Sequence, residues 1–426
     1  MRYTARVRGM RLGGLVLTAL CLCGAPALAN GRYPNADQLL VDPGDPSHLV
    51  LRATFGTLDS RDGGSHWSWI CEEAIGYVGD PALTVLRGGS VLSAYLGGVA
   101  FSTEGGCSWS QVPLDAVRRY AVDVTLDPSD PGRAWVLASS LDVRRHVSLL
   151  DLDVTGANTV PVVDDFTPST LEVAASRPQR IYVAGFDGAL MASLLMSDDR
   201  GSSWELRYVH PYEALAMYVS AVDPIDPDTL YLRVDDRTSD HLLVSRDAGQ
   251  TWADVFTLEG EMLGFALAPD GKHVALGGPS GGVHVAATSD FAFQPAGAPV
   301  QSLRCLTWTA RGLFACAQES LDGWTLALST DAGQSFTPLW HVQDLVPLAC
   351  EASSTTGATC PRAWLDVASR IGADLEPGAP TEVPPVPKAE GSSCELVRRV
   401  RPGAPRATLL GLLLAGAVWR LRARRS

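Results

Sequence analysis

Long helical periodicities are nearly absent from this 426-residue chain. Short apolar runs broken by Gly, Asn and Asp-Pro replace them, which argues against a helical bundle and for an all-β fold. Zinc spacing is missing as well: the eight histidines (48, 66, 146, 210, 241, 273, 284 and 341) form no His-Glu-x-x-His pattern. No phosphate-cradling Gly loop and no Gly-x-Ser-x-Gly elbow occurs. Asp151-Leu-Asp-Val-Thr-Gly156 opens like a calcium loop but lacks the third ligand and the terminal Glu. The expectation is a protein with no metal and no cofactor.

Basic charge is scarce in the body of the chain. Residues 1–29 hold four arginines and residues 398–426 hold eight, with no acids in either segment. Setting those twelve aside leaves 22 of the 34 basic side chains against 47 acidic ones. Such a body repels a phosphate backbone, so nucleic-acid binding is disfavoured. The acidity suits solubility outside the cytoplasm.

What the chain has in quantity is one pattern. Ser245, Asp247, Gly249 and Trp252 stand at positions one, three, five and eight of an octapeptide. The same skeleton recurs at Ser60, Asp62, Gly64 and Trp67, at Ser197, Asp199, Gly201 and Trp204, and at Ser329, Asp331, Gly333 and Phe336. Ser102, Glu104, Gly106 and Trp109 repeat it with Glu for Asp. Ser and Asp oxygens can accept turn N–H groups, the Gly supplies a positive φ, and the Trp buries a large flat surface. These side chains are therefore read as structural, pinning hairpins, and not as catalytic or metal-binding groups.

Spacing turns the repeat into an architecture. Trp67 to Trp109 is 42 residues and Trp204 to Trp252 is 48, while the two remaining intervals of 95 and 84 are about double. Degenerate copies are expected at Asp153-Val-Thr-Gly156 and Thr288-Ser-Asp-Phe-Ala-Phe293. Turns at Asp42-Pro43, Arg87-Gly-Gly89, Asp127-Pro128, Arg177-Pro178, Asp223-Pro224, Pro269-Asp-Gly271 and Arg311-Gly312 count the same seven units. Radially repeated units of four short strands read as a seven-bladed β-propeller. It should span residues 30–342, with blades starting near Ala36, Ala82, Tyr120, Leu171, Tyr218, Leu263 and Leu303. First and last blades each hold material for four strands, so no exchanged strand is expected.

Ser-x-Asp-x-Gly-x-x-Trp resembles the Asp-box, or BNR repeat, over roughly residues 36–340. The resemblance implies the propeller of sialidases, xyloglucan hydrolases, sortilin-type receptors and a photosystem II assembly factor. Those proteins share the box and not the function, so it implies fold more than activity. Sialidases carry an Arg-Ile-Pro motif and six blades; here the nearest sequence is Arg180-Ile-Tyr182.

Glycan hydrolysis would need two carboxylates about 5–10 Å apart across a cleft. The adjacent pairs Glu72-Glu73, Asp164-Asp165 and Asp235-Asp236 read as loop and turn surface, since strand neighbours point to opposite faces. No catalytic residue is assigned. Propellers bind through the mouth where loops enter the innermost strands. Arg119, Tyr120, Tyr212, Tyr218, Glu261 and Arg304 are the candidate binding residues there, because Tyr and Arg are favoured at interfaces.

The termini address the chain. Arg2, Arg6, Arg8 and Arg11, an apolar stretch from Leu12 to Cys23, and Ala27-Leu-Ala29 read as a secretory signal, residues 1–29. Seven cysteines remain in an oxidising compartment. Cys305 and Cys316 fall opposite each other across the turn at Ala310-Arg311, an expected cross-strand bridge. Cys350 and Cys360 are expected to pair across a short loop, which leaves Cys71 with Cys107. Residues 343–373 would hold that stapled loop and a helix over 361–372 presenting Trp364, Ala368 and Ile371. A Pro-rich linker, 374–393, follows.

Residues 394–426 hold Cys394, an apolar run from Ala407 to Trp419, and an Arg cluster. This tail resembles the bacterial C-terminal sorting signals of the MYXO-CTERM and PEP-CTERM kind. The resemblance implies anchoring through Cys394 at a Gram-negative envelope; a plain single-span anchor is the other reading. The sequence thus points to an exported, tethered, monomeric propeller that binds a protein or glycan, with a sialidase-like or endoglucanase-like hydrolase as the rival.

Overall fold

The computed structural model describes residues 34–373, apart from 78, 113–118, 143–144, 154–155, 210–213 and 298. Seven four-stranded antiparallel meanders follow one another along the chain, a seven-bladed propeller. Strands are labelled A to D within each blade, in chain order. The A strands, innermost in the ring, are Ala36–Asp42, Ala82–Val85, Arg119–Leu126, Thr167–Val173, Ala216–Val222, Gly264–Leu267 and Leu303–Thr309. The largest departure from the expected starts is at blade 4, which opens at Thr167 and not near Leu171.

B strands are covered on both faces by neighbouring blades. Ala134–Ser140 is buried at every position and Ile181–Phe186 at all but its last. Strands sandwiched in this way read as continuous apolar runs and not as alternation. A strands instead alternate, because one side faces the central channel. Several carry a bulge, at Ala36/Gln38, Pro168/Thr170, Val219/Ala221 and Leu303/Cys305. A bulge re-aims one side chain, and polar groups close to these bulges bond across the seams. Thr170 Oγ1 accepts Val219 N–H of blade 5 at 2.7 Å, and Thr307 Oγ1 donates to Leu39 O of blade 1 at 2.9 Å.

Because strand direction alternates, A–B and C–D connections lie at one end of the ring and B–C and D–A connections at the other. They form a turn face and a loop face. The repeated octapeptides all sit in C–D connections of the turn face. In four of them the Ser Oγ accepts the Gly N–H at 2.7–3.0 Å and donates to the Asp Oδ1. The same oxygen accepts the N–H just before the aromatic, from His66, Ser203, Thr251 and Ser335. Gly249 adopts φ +88°, and a Cβ there would stand 2.6 Å from Leu194 Cδ2, so the position requires glycine. Trp67, Trp109 and Trp204 return their indole N–H to the motif Gly carbonyl at 3.0 Å.

The two gaps in the repeat are filled differently. Blade 6 keeps the turn at Thr288–Phe293: Phe291 takes φ +52° and Phe293 packs on Phe256 at 4.6 Å. Blade 3 does not keep it. Strands C and D run on as one long hairpin, with Asp153 paired to Gly156, and the intervening residues 154–155 lie outside those described.

The ring closes without exchanging a strand, as expected: blades 1 and 7 each supply their own four. Trp67 packs on Trp340 at 5.5 Å, and Arg311 Nη1 of blade 7 donates to Gly63 O at 2.9 Å. Val346–Pro347 then adds a short parallel fifth strand beside Ser68-Trp69.

Three helices accompany the ring: α1 (Glu72–Ile75), α2 (Glu319–Asp322) and α3 (Thr355–Ile371). The helix expected over 361–372 starts six residues earlier. Ser354 caps it by accepting Gly357 N–H, and Pro361 lies inside. Gly357 permits the tight entry, because a Cβ would stand 2.1 Å from Glu351 O. Trp364, Ala368 and Ile371 are buried on one face as expected, with Trp364 against Trp69 at 5.6 Å.

That earlier start overturns two expected disulfides. Cys360 points from within α3 to Cys71 at the end of blade 1, and Cys350 reaches Cys107 of blade 2. Cys350 and Cys360 cannot face each other across a short loop once a helix separates them. Cys305–Cys316 forms across strands A and B as expected. Thr356 Oγ1 adds a 2.7 Å bond to Gly106 O, so α3 staples the segment after the ring onto blades 1 and 2.

Candidate binding site at the loop face

A cavity of about 300 Å³ opens in the channel between blades 5, 6, 7 and 1. Asp37, Tyr218, Ser220, Arg233, Phe265 and Thr307 are among its lining residues. Asp37 and Tyr218 sit in the first half of their A strands, which places the cavity towards the loop face. Tyr218 is thus one expected binding residue that the structure brings to a site.

Two Arg–Asp pairs shape this wall. Arg233, opposite Tyr218 in the strand register, lays its guanidinium over the Tyr218 ring at 5.4 Å and bonds Asp240 at 2.8 Å. Burial pushes the Asp240 carboxyl up, although Met262 N–H and Arg233 stabilise its charge. Arg304 places Nε and Nη2 on Asp37 Oδ1 at 2.9 and 2.8 Å. Arg304, expected as an interface side chain, is therefore committed to the seam between blades 7 and 1. Arg233 Nε is buried with no acceptor among the described residues.

The other expected binding residues are scattered. Glu261 is exposed in the D–A connection entering blade 6, and Tyr120 is half-buried at the second position of its A strand. Arg119 opens that strand by its backbone; Tyr212 lies outside the described residues.

A second polar cluster, not anticipated from the sequence, lies between blades 3 and 4. Asp123 Oδ2 accepts Leu171 N–H at 2.9 Å and its Oδ1 accepts Val124 N–H at 2.8 Å. Glu172, next to Leu171, accepts the Thr125 hydroxyl at 3.4 Å. Burial, reinforced by the Asp123 charge, pushes Glu172 up to about 8. Burial also raises Asp123, to about 6, against the pull of its two N–H donors and Arg52. Each is a carboxylate flanked on both sides by apolar residues, Val122 and Val124 or Leu171 and Val173, the one sequence signal that could have marked them.

The adjacent acid pairs lie in α1 or at the ends of strands. Glu72 and Glu73 open α1, Asp164 contacts His146 at 2.6 Å, and Asp235 and Asp236 accept turn N–H groups. Arg180 is a buried clasp that bonds Asp198, Tyr182 and Asp228 of the next blade. Among the described residues no group of three or more His, Cys, Asp or Glu could hold a metal.

No protein-family model and no curated protein matches the chain. Solved structures do. A puromycin-hydrolyzing peptidase of Mycobacterium tuberculosis is 13% identical with a TM-score of 0.53, covering 74% of this chain and 55% of that one. Kuenenia stuttgartiensis hydrazine synthase is 14% identical with a TM-score of 0.50, over 72% and 99%. A Niastella koreensis GH74 enzyme is 15% identical with a TM-score of 0.34, and the chain covers 62% of its length with 71% of its own. The likeness is one of fold.

Proposed function

We propose that the protein is an exported, envelope-tethered propeller that binds a protein or glycan at its loop face. In this reading the octapeptides are Asp-boxes that hold the scaffold. The cavity carries the reading: it presents an aromatic and ionic wall, with Tyr218, Phe265, Arg233 and Asp37 fixed by two Arg–Asp pairs. Pockets with a few convergent polar groups are the usual ligand sites of a fold. Three disulfides suit an oxidising extracytoplasmic compartment.

Among the described residues no helix is long and apolar enough to cross a membrane. Tethering is therefore assigned to the tail, with Cys394 as its anchoring point. Cell fractionation tests this: Cys394→Ala should move the protein from the envelope to the soluble fraction, and unchanged attachment would remove the lipid-anchor version. Titration of the purified protein with a glycan panel tests the binding site, with saturable binding lost in Tyr218→Ala.

The rival hydrolase has one observation in its favour. Asp123 and Glu172 have environments that separate their pKa values, as an acid–base pair requires. Against it, both Asp123 oxygens already accept backbone N–H groups. Polysaccharide turnover that disappears in Glu172→Gln would replace the binding reading with the enzymatic one.

A further inference from the structure

The two faces of the ring differ in what they expose. Of the eleven exposed large hydrophobic side chains among the described residues, six lie in loop-face connections: Leu96, Leu141, Leu190, Met191, Leu215 and Leu321. Ile225 alone among them lies in a turn-face A–B connection. Leu190 is 76% exposed and held at φ +62°, a conformation that costs a leucine about 1 kcal/mol. Its turn is fixed by Asp187 Oδ1, which accepts Ala189 and Met191 N–H groups at 2.9 Å.

Among the described residues of the same face, exposed charge is mainly acidic. Glu73, Asp142, Asp164, Glu259 and Glu261 are exposed there, and Arg237 is the exposed basic side chain among its described residues. The turn face exposes carboxylates as well, but several acids there are matched by arginines: Arg200 bonds Asp127, Arg133 bonds Asp151, and Arg180 bonds Asp198 and Asp228.

We infer that the loop face docks a polypeptide surface of leucine-like apolar side chains ringed by Lys or Arg. This deepens the binding function proposed above and rests on it. Apolar knobs among carboxylates complement such a partner in both burial and charge. Phosphate-rich surfaces, nucleic acid or anionic lipid, are repelled by the same carboxylates. A glycan gains little from leucines spread over four blades.

A helical peptide of Leu and Lys serves as probe for the full-chain protein, and its Glu-for-Lys counterpart as control, read by fluorescence anisotropy. The Lys peptide should bind and weaken with salt, and the Glu peptide should not. Leu190→Ser with Leu215→Ser, and separately Glu259→Gln with Glu261→Gln, should each weaken binding roughly tenfold. Ile225→Ser with Asp270→Asn, the matched change on the turn face, should leave it within about twofold. Equal losses on both faces, or no loss on either, would overturn the inference. So would capture of phosphatidylcholine vesicles through Leu190 and Leu215, which would assign the face to a membrane. Saturable glycan binding without peptide binding would sink this inference and leave the binding function standing; polysaccharide turnover would sink the binding function itself.

Discussion

The turn face and the loop face are made by the same strands, yet carboxylates recur in a fixed pattern on the turn face and in no repeated pattern among the described residues of the loop face. On the turn face Asp42, Asp127 and Asp223 each accept an N–H two residues on, and the octapeptide Asp residues accept their own hairpin's N–H groups. Those charges are consumed in fixing the backbone. On the loop face exposed carboxylates accompany exposed leucines, and the channel opens beside them in an aromatic and ionic cavity. A repeat therefore marks where a fold is held, and its interruption by non-repeating loops marks where a ligand can be met.

The comparison can be broken from the turn-face side first. Trp67→Ala removes a buried indole, its 3.0 Å bond and its contact with Trp340. It should cost about 3–5 kcal/mol by chemical denaturation while glycan or peptide affinity of the remaining folded protein is unchanged. A loss of affinity at unchanged stability would erase the division between faces. Next, Cys71→Ser with Cys360→Ser opens a link across 289 residues and should cost about 2–5 kcal/mol. Denaturation of the reduced wild type, which opens all three disulfides, should show a larger loss.

Acid separates the faces more finely. Bonds from Thr251, Ser245 and Gln250 outweigh burial and hold Asp247 at about 2, and the Ser335 and Ser329 bonds hold Asp331 at about 2. These folded values lie below the ordinary 3.8, so their stabilisation is present above about pH 4 and is lost as pH falls towards 2. Asp247→Asn should cost about 1 kcal/mol at neutral pH and flatten part of that acid slope. Glu172 has the opposite sign. Its folded value of about 8 exceeds the ordinary 4.5, so wild-type stability should fall as pH rises from about 4.5 to 8. Glu172→Gln should remove that decline in thermal melts taken across this range. The smallest effect is expected from Leu190→Ser, within about 0.5 kcal/mol in stability, because its side chain is exposed.

The ring was legible in the sequence because turn chemistry is local. Ser, Asp, Gly and Trp within eight residues satisfy one another, so each copy announces a hairpin without knowledge of the rest. The Cys305–Cys316 bridge was legible for the same reason, through strand register across one turn. Cys71–Cys360 and Cys107–Cys350 were not, because their partners depend on where α3 docks after the ring has closed. The helix expected from residue 361 starts earlier because of the Ser354 cap and the close fit of Gly357. At the site, Tyr218 was legible as a loop-proximal aromatic, whereas the pairing of Arg304 was not, because Asp37 lies 267 residues away. Arg233 and Glu172 each sit between two apolar residues of a strand, and their roles emerge when a neighbouring strand or blade supplies the contact.

Hydrogen–deuterium exchange of the full-chain protein, with and without the Leu/Lys peptide, tests the division of the two faces most directly. The N–H groups of Gly64, Gly201, Gly249 and Gly333, each bonded to its Ser Oγ, should exchange slowly in both states. Added protection should fall on the connections holding Leu141, Leu190 and Leu215. Fast exchange at the four glycines, or new protection on the turn face, would contradict the account.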